Sequence, residues 1–345
     1  MSDLFLLLSG EHEDLPVSEV KAILEAEGYE YEVKEKLDQV LRLKASASCV
    51  NVLKSRAAFT RLCARELFVC EAKLSSIVKA VRSAKLATAL LKGESFAVRV
   101  KHVREYSQRI NGMTLEGKLG ALIIDRFPDA KVRLKNPDKT LVGVLTGGRL
   151  VFGVKLAEIQ AKPFMERRPR KRPFFHPSAM TAKLARCMVN LAEPRTGDTV
   201  LDPFCGTGTM LIEARLIGCM VLGMDIQRRM VRGTRRNMAH FKLKPEGLVV
   251  GDAKHLPISR ADCVVTDPPY GISSTTMKRT TEQLVEEVLG AVHGILVKNR
   301  RVCLAAPKKL NITRVGKALG FKPIESHFVY VHRSLTREIV VFEKV

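Results

Sequence analysis

The chain has 345 residues, with 58 Lys plus Arg, 36 Asp plus Glu and a formal net charge of +22. At about 150 residues per domain this length suits two or three domains. A composition 46% hydrophobic and 27% charged excludes a chain disordered throughout. No apolar run approaches the roughly 18 residues of a membrane span, so no membrane partner is expected. The charge excess points instead to a polyanion.

In chain order, Leu4–Ser9 reads as a strand. Its apolar start has no basic region before it and is too short for a signal peptide, so a cytoplasmic location is expected. Pro16–Glu27 reads as a helix closed by Gly28 in the C-cap position. Tyr29–Lys34 and Val40–Ala45 alternate as strands. Residues 1–49 are thus expected to form a small strand-helix-strand-strand domain. In 50–158 the pattern predicts helices over Val50–Cys63, Lys73–Leu91 and Thr114–Phe127. Strands are predicted over Phe96–His102, Lys131–Lys135, Leu141–Thr146 and Arg149–Lys155, the last two split by Gly147-Gly148, a hairpin signal. Residues 159–175 read as a basic, proline-rich linker, centred on KPFMERRPRKRPFFH.

From 176 to 345 short apolar runs at Thr199–Leu201, Met220–Met224, Leu248–Val250, Ala261–Thr266 and Val302–Ala305 alternate with helical stretches. That is the pattern of a parallel sheet covered on both faces. Phe328–His332 and Glu338–Phe342 read as a closing antiparallel pair. The fold class is therefore α/β, preceded by an α+β half. None of the eight cysteines stands in a CxxC pair, so no metal cluster is expected and the thiols read as buried side chains.

Four successive strands finish with an aspartate: Asp202, Asp225, Asp252 and Asp267. One such residue is usually a cap or a turn. Four in an open α/β sheet, where ligands bind beyond the carboxyl ends of the strands, mark a ligand crevice. The first opens Asp202-Pro203-Phe204-Cys205-Gly206-Thr207-Gly208-Thr209. This lacks both the GxGxxG of dinucleotide enzymes and the Lys of a phosphate loop. Asp202 repels a pyrophosphate and suits a cation, such as the amino group of a methionine moiety. Asp225, followed by Ile226, can accept from two ribose hydroxyls. Asp252, followed by Ala253, can accept from an adenine amine.

The fourth strand ends in Asp267-Pro268-Pro269-Tyr270. The prolines remove two N–H donors and leave bare carbonyls. An acceptor side chain, a carbonyl and an aromatic ring within four residues suit an exocyclic amine on a planar base, with Tyr270 stacking on the ring. Holding both amine hydrogens raises the nucleophilicity of a nitrogen whose lone pair is otherwise delocalised.

Together these segments resemble the Rossmann-like S-adenosylmethionine-dependent methyltransferases. Variants of the DPPY motif occur in enzymes that methylate adenine N6, cytosine N4, guanine N2 and glutamine amides. Residues 50–158, sharpest in KVRLKNPDKTLVGVLTGGRLVFGVKL, resemble a THUMP RNA-binding domain. RPFFHPSAMTAKLARCMVNLA, DPFCGTGTMLIEA and HRSLTREI are similar to the archaeal tRNA guanine-N2 methyltransferases acting at position 10. One departure is Arg133, where family members often carry an acidic residue.

The resemblance implies an N-terminal ferredoxin-like domain beside the THUMP domain, tRNA held by its 3′ end, and mono- or dimethylguanosine as product. It also implies that Asp267, Pro268, Pro269 and Tyr270 are catalytic, and that His176 walls the S-adenosyl-L-methionine site. A monomer is expected. Arg333 and Arg337 on the terminal hairpin are candidate RNA contacts by the same analogy. In the basic run 227–244, Arg228, Arg232 and Arg235 share one helical face and are candidate phosphate contacts, with a solvated face as the plain alternative. Methylation at another tRNA position such as 6, adenine-N6 methylation of RNA, and a non-catalytic RNA-binding protein are the competing functions.

Overall fold

A computed structural model describes residues 1–84, 93–104, 110–270, 280–333 and 335–345. In chain order the first elements are β1 (Ser2–Leu8), α1 (Leu15–Ala26), β2 (Tyr31–Leu37), β3 (Val40–Ala45), α2 (Cys49–Arg56), β4 (Thr60–Glu71), α3 (Leu74–Ser83), β5 (Ser95–His102), α4 (Gly112–Arg126), β6 (Lys131–Val132), β7 (Lys139–Thr146) and β8 (Arg149–Glu158). There follow α5 (Lys162–Glu166), α6 (Ala182–Leu191), β9 (Thr199–Asp202), α7 (Thr209–Leu216), β10 (Met220–Asp225), α8 (Arg228–His240), β11 (Gly247–Val250), β12 (Cys263–Thr266), α9 (Thr281–Ile295), β13 (Arg301–Pro307), α10 (Ile312–Ala318), β14 (Phe321–His332) and β15 (Leu335–Lys344). Two compact units result. The first holds Met1–Glu11, Tyr29–Lys54 and Thr60–Gln160. The second holds His12–Gly28, Ser55–Phe59 and Ala161–Val345.

The first unit is built on a sheet of order β2-β3-β1-β4-β8-β7-β5-β6. It is antiparallel as far as β7, with β5 parallel to both β7 and β6. Ile77 and Val81 of α3 and Leu115, Leu119 and Ile123 of α4 bury their apolar stripe against Phe96, Leu141, Leu150 and Phe152. One sheet runs across the boundary expected at 49/50, because β4 pairs with β1. The helix predicted over Val50–Cys63 stops at Arg56, and a long strand begins at Thr60. Leu62, Cys63 and Ala64 are all buried, so the segment lacks a clean alternation, and a strand buried on both faces cannot be told from a helix by period. The helix predicted to Leu91 is described as far as Ser83, and 85–92 lie outside the described residues. The strand predicted over Lys131–Lys135 shortens to two residues, and Asn136 takes a left-handed φ of 48°.

The second unit takes α1 from the N-terminal segment, so residues 1–49 divide between the two units. Leu15 and Ala22 of α1 join a core with Leu184, Met188 and Leu191 of α6. Glu19, fully buried on α1, accepts the Ala58 and Phe59 N–H groups at 2.9 and 2.8 Å and Asn190 Nδ2 at 2.9 Å. Burial pushes its carboxyl up, against the pull of those three donors. The stretch expected as a linker is part of the same body. Phe164 of α5 is buried, and Arg167 grips the fully buried Glu213 of α7 through two hydrogen bonds, at 2.7 and 3.0 Å.

The sheet of this unit has the order β11-β10-β9-β12-β13-β15-β14. The first five strands are parallel, and β15 and β14 close it antiparallel. On one face lie α1, α6 and α7; on the other α9 and α10 pack through Leu284, Val288, Val292 and Ile312. The chain runs outward from β9 to β11, then returns to place β12 on the other side of β9. The crevice beyond the carboxyl ends of β9 and β12 is therefore the topological switch point, where open α/β sheets bind ligands.

Candidate active site

At the switch point β9 ends in Asp202 and β12 is followed directly by Asp267. Asp202, 2% exposed at the end of β9, accepts Thr266 Oγ1 at 2.8 Å and the Phe204 N–H at 3.1 Å. Burial pushes its carboxyl up to about 7, with Asp225 and Asp267 adding repulsion.

The loop that follows turns at Gly206 and Gly208, whose φ values of 50° and 79° lie in the left-handed region that glycine enters without penalty. Asp225, at the end of β10, takes the Gly206 N–H at 3.0 Å and the Gln227 N–H at 2.9 Å. It thus ties the glycine loop to the neighbouring strand. Burial pushes its carboxyl up too, while His176 favours its charged form. Beside it Ile226 is half-buried, as is His176, whose Nδ1 lies 2.7 Å from Ser178 Oγ. Asp252 follows β11 and accepts the Lys254 N–H at 3.1 Å, and Ala253 is buried. Pro203, Cys205, Thr207 and Thr209 are buried and Phe204 is half-buried.

Three residues that hold this loop carry no sequence signal of their own. Asn237 of α8, fully buried, accepts the Phe174 N–H and donates Nδ2 to the carbonyls of Phe174 and Thr207, all at 2.9 Å. Thr234 donates to the Gly206 carbonyl at 2.8 Å, and Arg172 Nη1 donates to Thr209 Oγ1 at 2.6 Å. Asn237 and Thr234 hide in a run that reads only as basic, and Arg172 hides in the stretch read as linker. Neither Asp202 nor Asp225 has a Lys or Arg ion-pair partner among the described residues. Such a pair of acceptors suits a ligand that brings its own positive charge and hydroxyl groups.

Asp267 follows the last residue of β12, with Pro268 buried and Pro269 and Tyr270 half-buried. The Tyr270 hydroxyl donates to Asp267 Oδ1. Arg337 of β15 donates Nε to the Tyr270 oxygen at 3.1 Å, and its Nη2 lies 3.2 Å from Asp267 Oδ2. Burial pushes the Asp267 carboxyl up while Arg337 and the Tyr270 hydroxyl pull it down. Arg337, a candidate RNA contact, departs from a solvated hairpin turn: it is 8% exposed and touches Asp267 and Tyr270. The register explains the difference. Arg337 stands opposite Pro307, the last residue of β13, so antiparallel β15 starts at the edge where the parallel strands end. Arg228, Arg232 and Arg235 on α8, and Arg333 on the hairpin, are exposed and make no contact with the strand-end cluster among the described residues. Also among the described residues, no group of three or more His, Cys, Asp or Glu is placed to hold a metal ion.

The model of the UPF0020 family, an RMKL-like methyltransferase domain, matches residues 169–338. The crystal structure of TrmN from Thermus thermophilus superposes with a TM-score of 0.55 at 21% identity, covering 99% of this chain and all of that one. Fold and family model together define the class: an α/β methyltransferase. A tRNA (guanine(10)-N2)-dimethyltransferase of Methanothermobacter thermautotrophicus is 37% identical, over 99% of this chain and 100% of its own length. One of the same name from Methanocaldococcus jannaschii is 34% identical, over 98% of this chain and 99% of its own. The chain belongs to the tRNA (guanine(10)-N2)-dimethyltransferase family.

Proposed function

We propose that this chain is the S-adenosylmethionine-dependent enzyme that methylates the exocyclic N2 amine of guanine in tRNA, at position 10, giving N2-methyl- and N2,N2-dimethylguanosine. The observation that carries the reading is the pairing of two strand ends across one switch point. Asp202 stands on β9, and Asp267-Pro268-Pro269-Tyr270 follows β12, joined to it by the Thr266–Asp202 hydrogen bond.

The three carboxylate acceptors fit the cofactor. Asp202 accepts its ammonium group, Asp225 its ribose hydroxyls and Asp252 its adenine amine, with His176, Ile226 and Ala253 lining the site. When bound, S-adenosylmethionine supplies an electrophilic methyl group on a sulfonium. The protein's part is positioning and charge. Asp267 accepts one N–H of the guanine amine and the Pro268 carbonyl accepts the other. The amine is neutral before transfer, so its proton becomes acidic only as the new bond forms, and Asp267 takes it late. Tyr270 covers the base. After the first transfer one N–H remains, enough for a second.

The first unit, drawn from within residues 1–160, supplies the tRNA-holding half, as an N-terminal ferredoxin-like segment and a THUMP domain, with the exposed arginines of α8 and Arg333 adding phosphate contacts. The test is to incubate tRNA with the protein and S-adenosylmethionine, digest to nucleosides and identify the product by mass. N2-methylated guanosine is expected. Methyladenosine, or no methylated nucleoside, would contradict the reading.

A further inference from the structure

We propose that Arg337 makes the site selective for guanine by donating a hydrogen bond to O6 of the target base. The proposal rests on the guanine-N2 reading above and adds to it a residue that reads the base.

In the protein alone, Asp267, Tyr270 and Arg337 form a closed cluster. The hydroxyl of Tyr270 is on Oδ1 of Asp267, and Arg337 Nη2 lies 3.2 Å from Oδ2. The two ends of the carboxylate are therefore different: a hydroxyl at one, a cation at the other. Arginine carries five N–H donors in a fixed plane and no acceptor. Nε is used on Tyr270 at 3.1 Å and Nη2 faces Asp267, while Nη1 has no partner among the described residues. The guanidinium is held on the sheet, with Arg337 set at 8% exposure opposite the end of β13. It is therefore fixed before any ligand arrives, unlike a solvent-borne arginine.

A carboxylate accepts at both oxygens, and the base edge that offers two adjacent N–H groups is that of guanine, through N1 and N2. With N2 toward Oδ1 and N1 toward Oδ2, the next atom along that edge is O6, an acceptor at the arginine end. The site then presents acceptor, acceptor, donor against donor, donor, acceptor. Adenine cannot match it. Laid in the same register, its amine would meet the arginine with a donor; turned to bring the amine to Oδ1, its N1 lone pair would face Oδ2 and a C–H would meet the arginine. A site built to hydrogen-bond a polar group discriminates strongly against an analogue that lacks it.

The experiment uses full-length protein and two tRNAs assembled from synthetic halves. One carries guanine at the target nucleotide. The other carries 6-thioguanine, which keeps N1–H and the N2 amine but replaces O6 by a poorly accepting sulfur. Single-turnover methylation is measured with wild type, Arg337→Ala and Arg337→Lys, each first shown to bind S-adenosylmethionine normally by calorimetry. Wild type should methylate guanine about tenfold or more faster than thioguanine, the effect of one hydrogen bond from a charged donor. Arg337→Ala should lose rate on guanine and bring that ratio close to one, and Arg337→Lys should keep part of it. If Arg337 merely holds Asp267 in place, both substrates slow equally and the ratio survives, which overturns the proposal. A wild-type ratio of one overturns it as well. A wild-type protein that methylates no guanine at all would instead remove the underlying functional reading.

Discussion

Asp267 is the side chain to which we assign the positioning of the reacting amine, and its surroundings set the outcome of changing it. It is held by the Tyr270 hydroxyl and by Arg337, so removing it leaves a buried guanidinium without its carboxylate, with only the Tyr270 oxygen as a partner. Asp267→Ala should therefore cost about 10²–10⁴-fold in single-turnover rate while cofactor affinity stays largely intact. Asp267→Asn should be milder, since an amide oxygen still accepts. Asp202 gives a pH-dependent test. Burial raises its carboxyl to about 7 from an ordinary value of 3.8, so the folded, cofactor-free protein binds more protons than the unfolded chain between those values. This group's contribution to stability therefore falls as pH rises from about 4 to about 7 and is flat above. An ammonium ligand needs the carboxylate, so S-adenosylmethionine binding should tighten from pH 6 to pH 8 and release protons near pH 6.5. Calorimetry in buffers of different ionisation enthalpy measures that release, and Asp202→Asn should abolish it. Equal heats in all buffers for the wild type would contradict the assignment of Asp202.

At the scale of elements, the four strand ends were legible because each carries an aspartate next to proline, glycine or a short apolar run. What positions them was less so. Asn237 looks like any polar residue of a basic helix, yet it makes three hydrogen bonds joining α8 to the segment before His176 and to the glycine loop. Asn237→Ala should cost roughly 2–4 kcal/mol, the usual result of stranding several buried polar groups. It should also weaken cofactor binding, because both flanks of the site lose their tie. Denaturant unfolding and calorimetry on one variant check the two together. Unchanged values would show the loop to be fixed by Thr234 and Arg172 alone. The place of Arg337 beside Asp267 is hidden for a different reason. In sequence it sits on a hairpin, and hairpin arginines are usually solvated. Only the pairing of β15 with β13 brings it to the strand ends, and that register is a long-range fact invisible to local pattern. The strand β4 was missed because burial on both faces erased its alternation.

At the scale of the molecule, the division expected at the proline-rich stretch does not match how the chain packs. Residues 12–28 and 55–59 belong to the unit that carries the site. Cutting at residue 160 would remove α1 and the Glu19 carboxylate from Asn190, and would uncover the α6 core that Leu15 and Phe59 help to close. A fragment of residues 161–345 should therefore be poorly folded, with early, broad thermal unfolding. A sharp transition near that of the full chain would contradict this. The net charge of +22 belongs to this scale as well. If tRNA is held through phosphates, log affinity should fall linearly and steeply with log salt, and titrations between low and moderate salt give the slope. A flat response would argue against electrostatic holding.

The most direct test of the central claim is a comparison of two tRNA transcripts that differ at one atom group, guanosine or inosine at position 10, each methylated by the wild-type protein and mapped by fragment mass. Inosine keeps N1–H and O6 but has no N2 amine. The account predicts N2-methyl- and N2,N2-dimethylguanosine at position 10 of the first transcript and no methyl transfer to the second. Equal methylation of both, or methylation of the first at any other nucleotide, would contradict it.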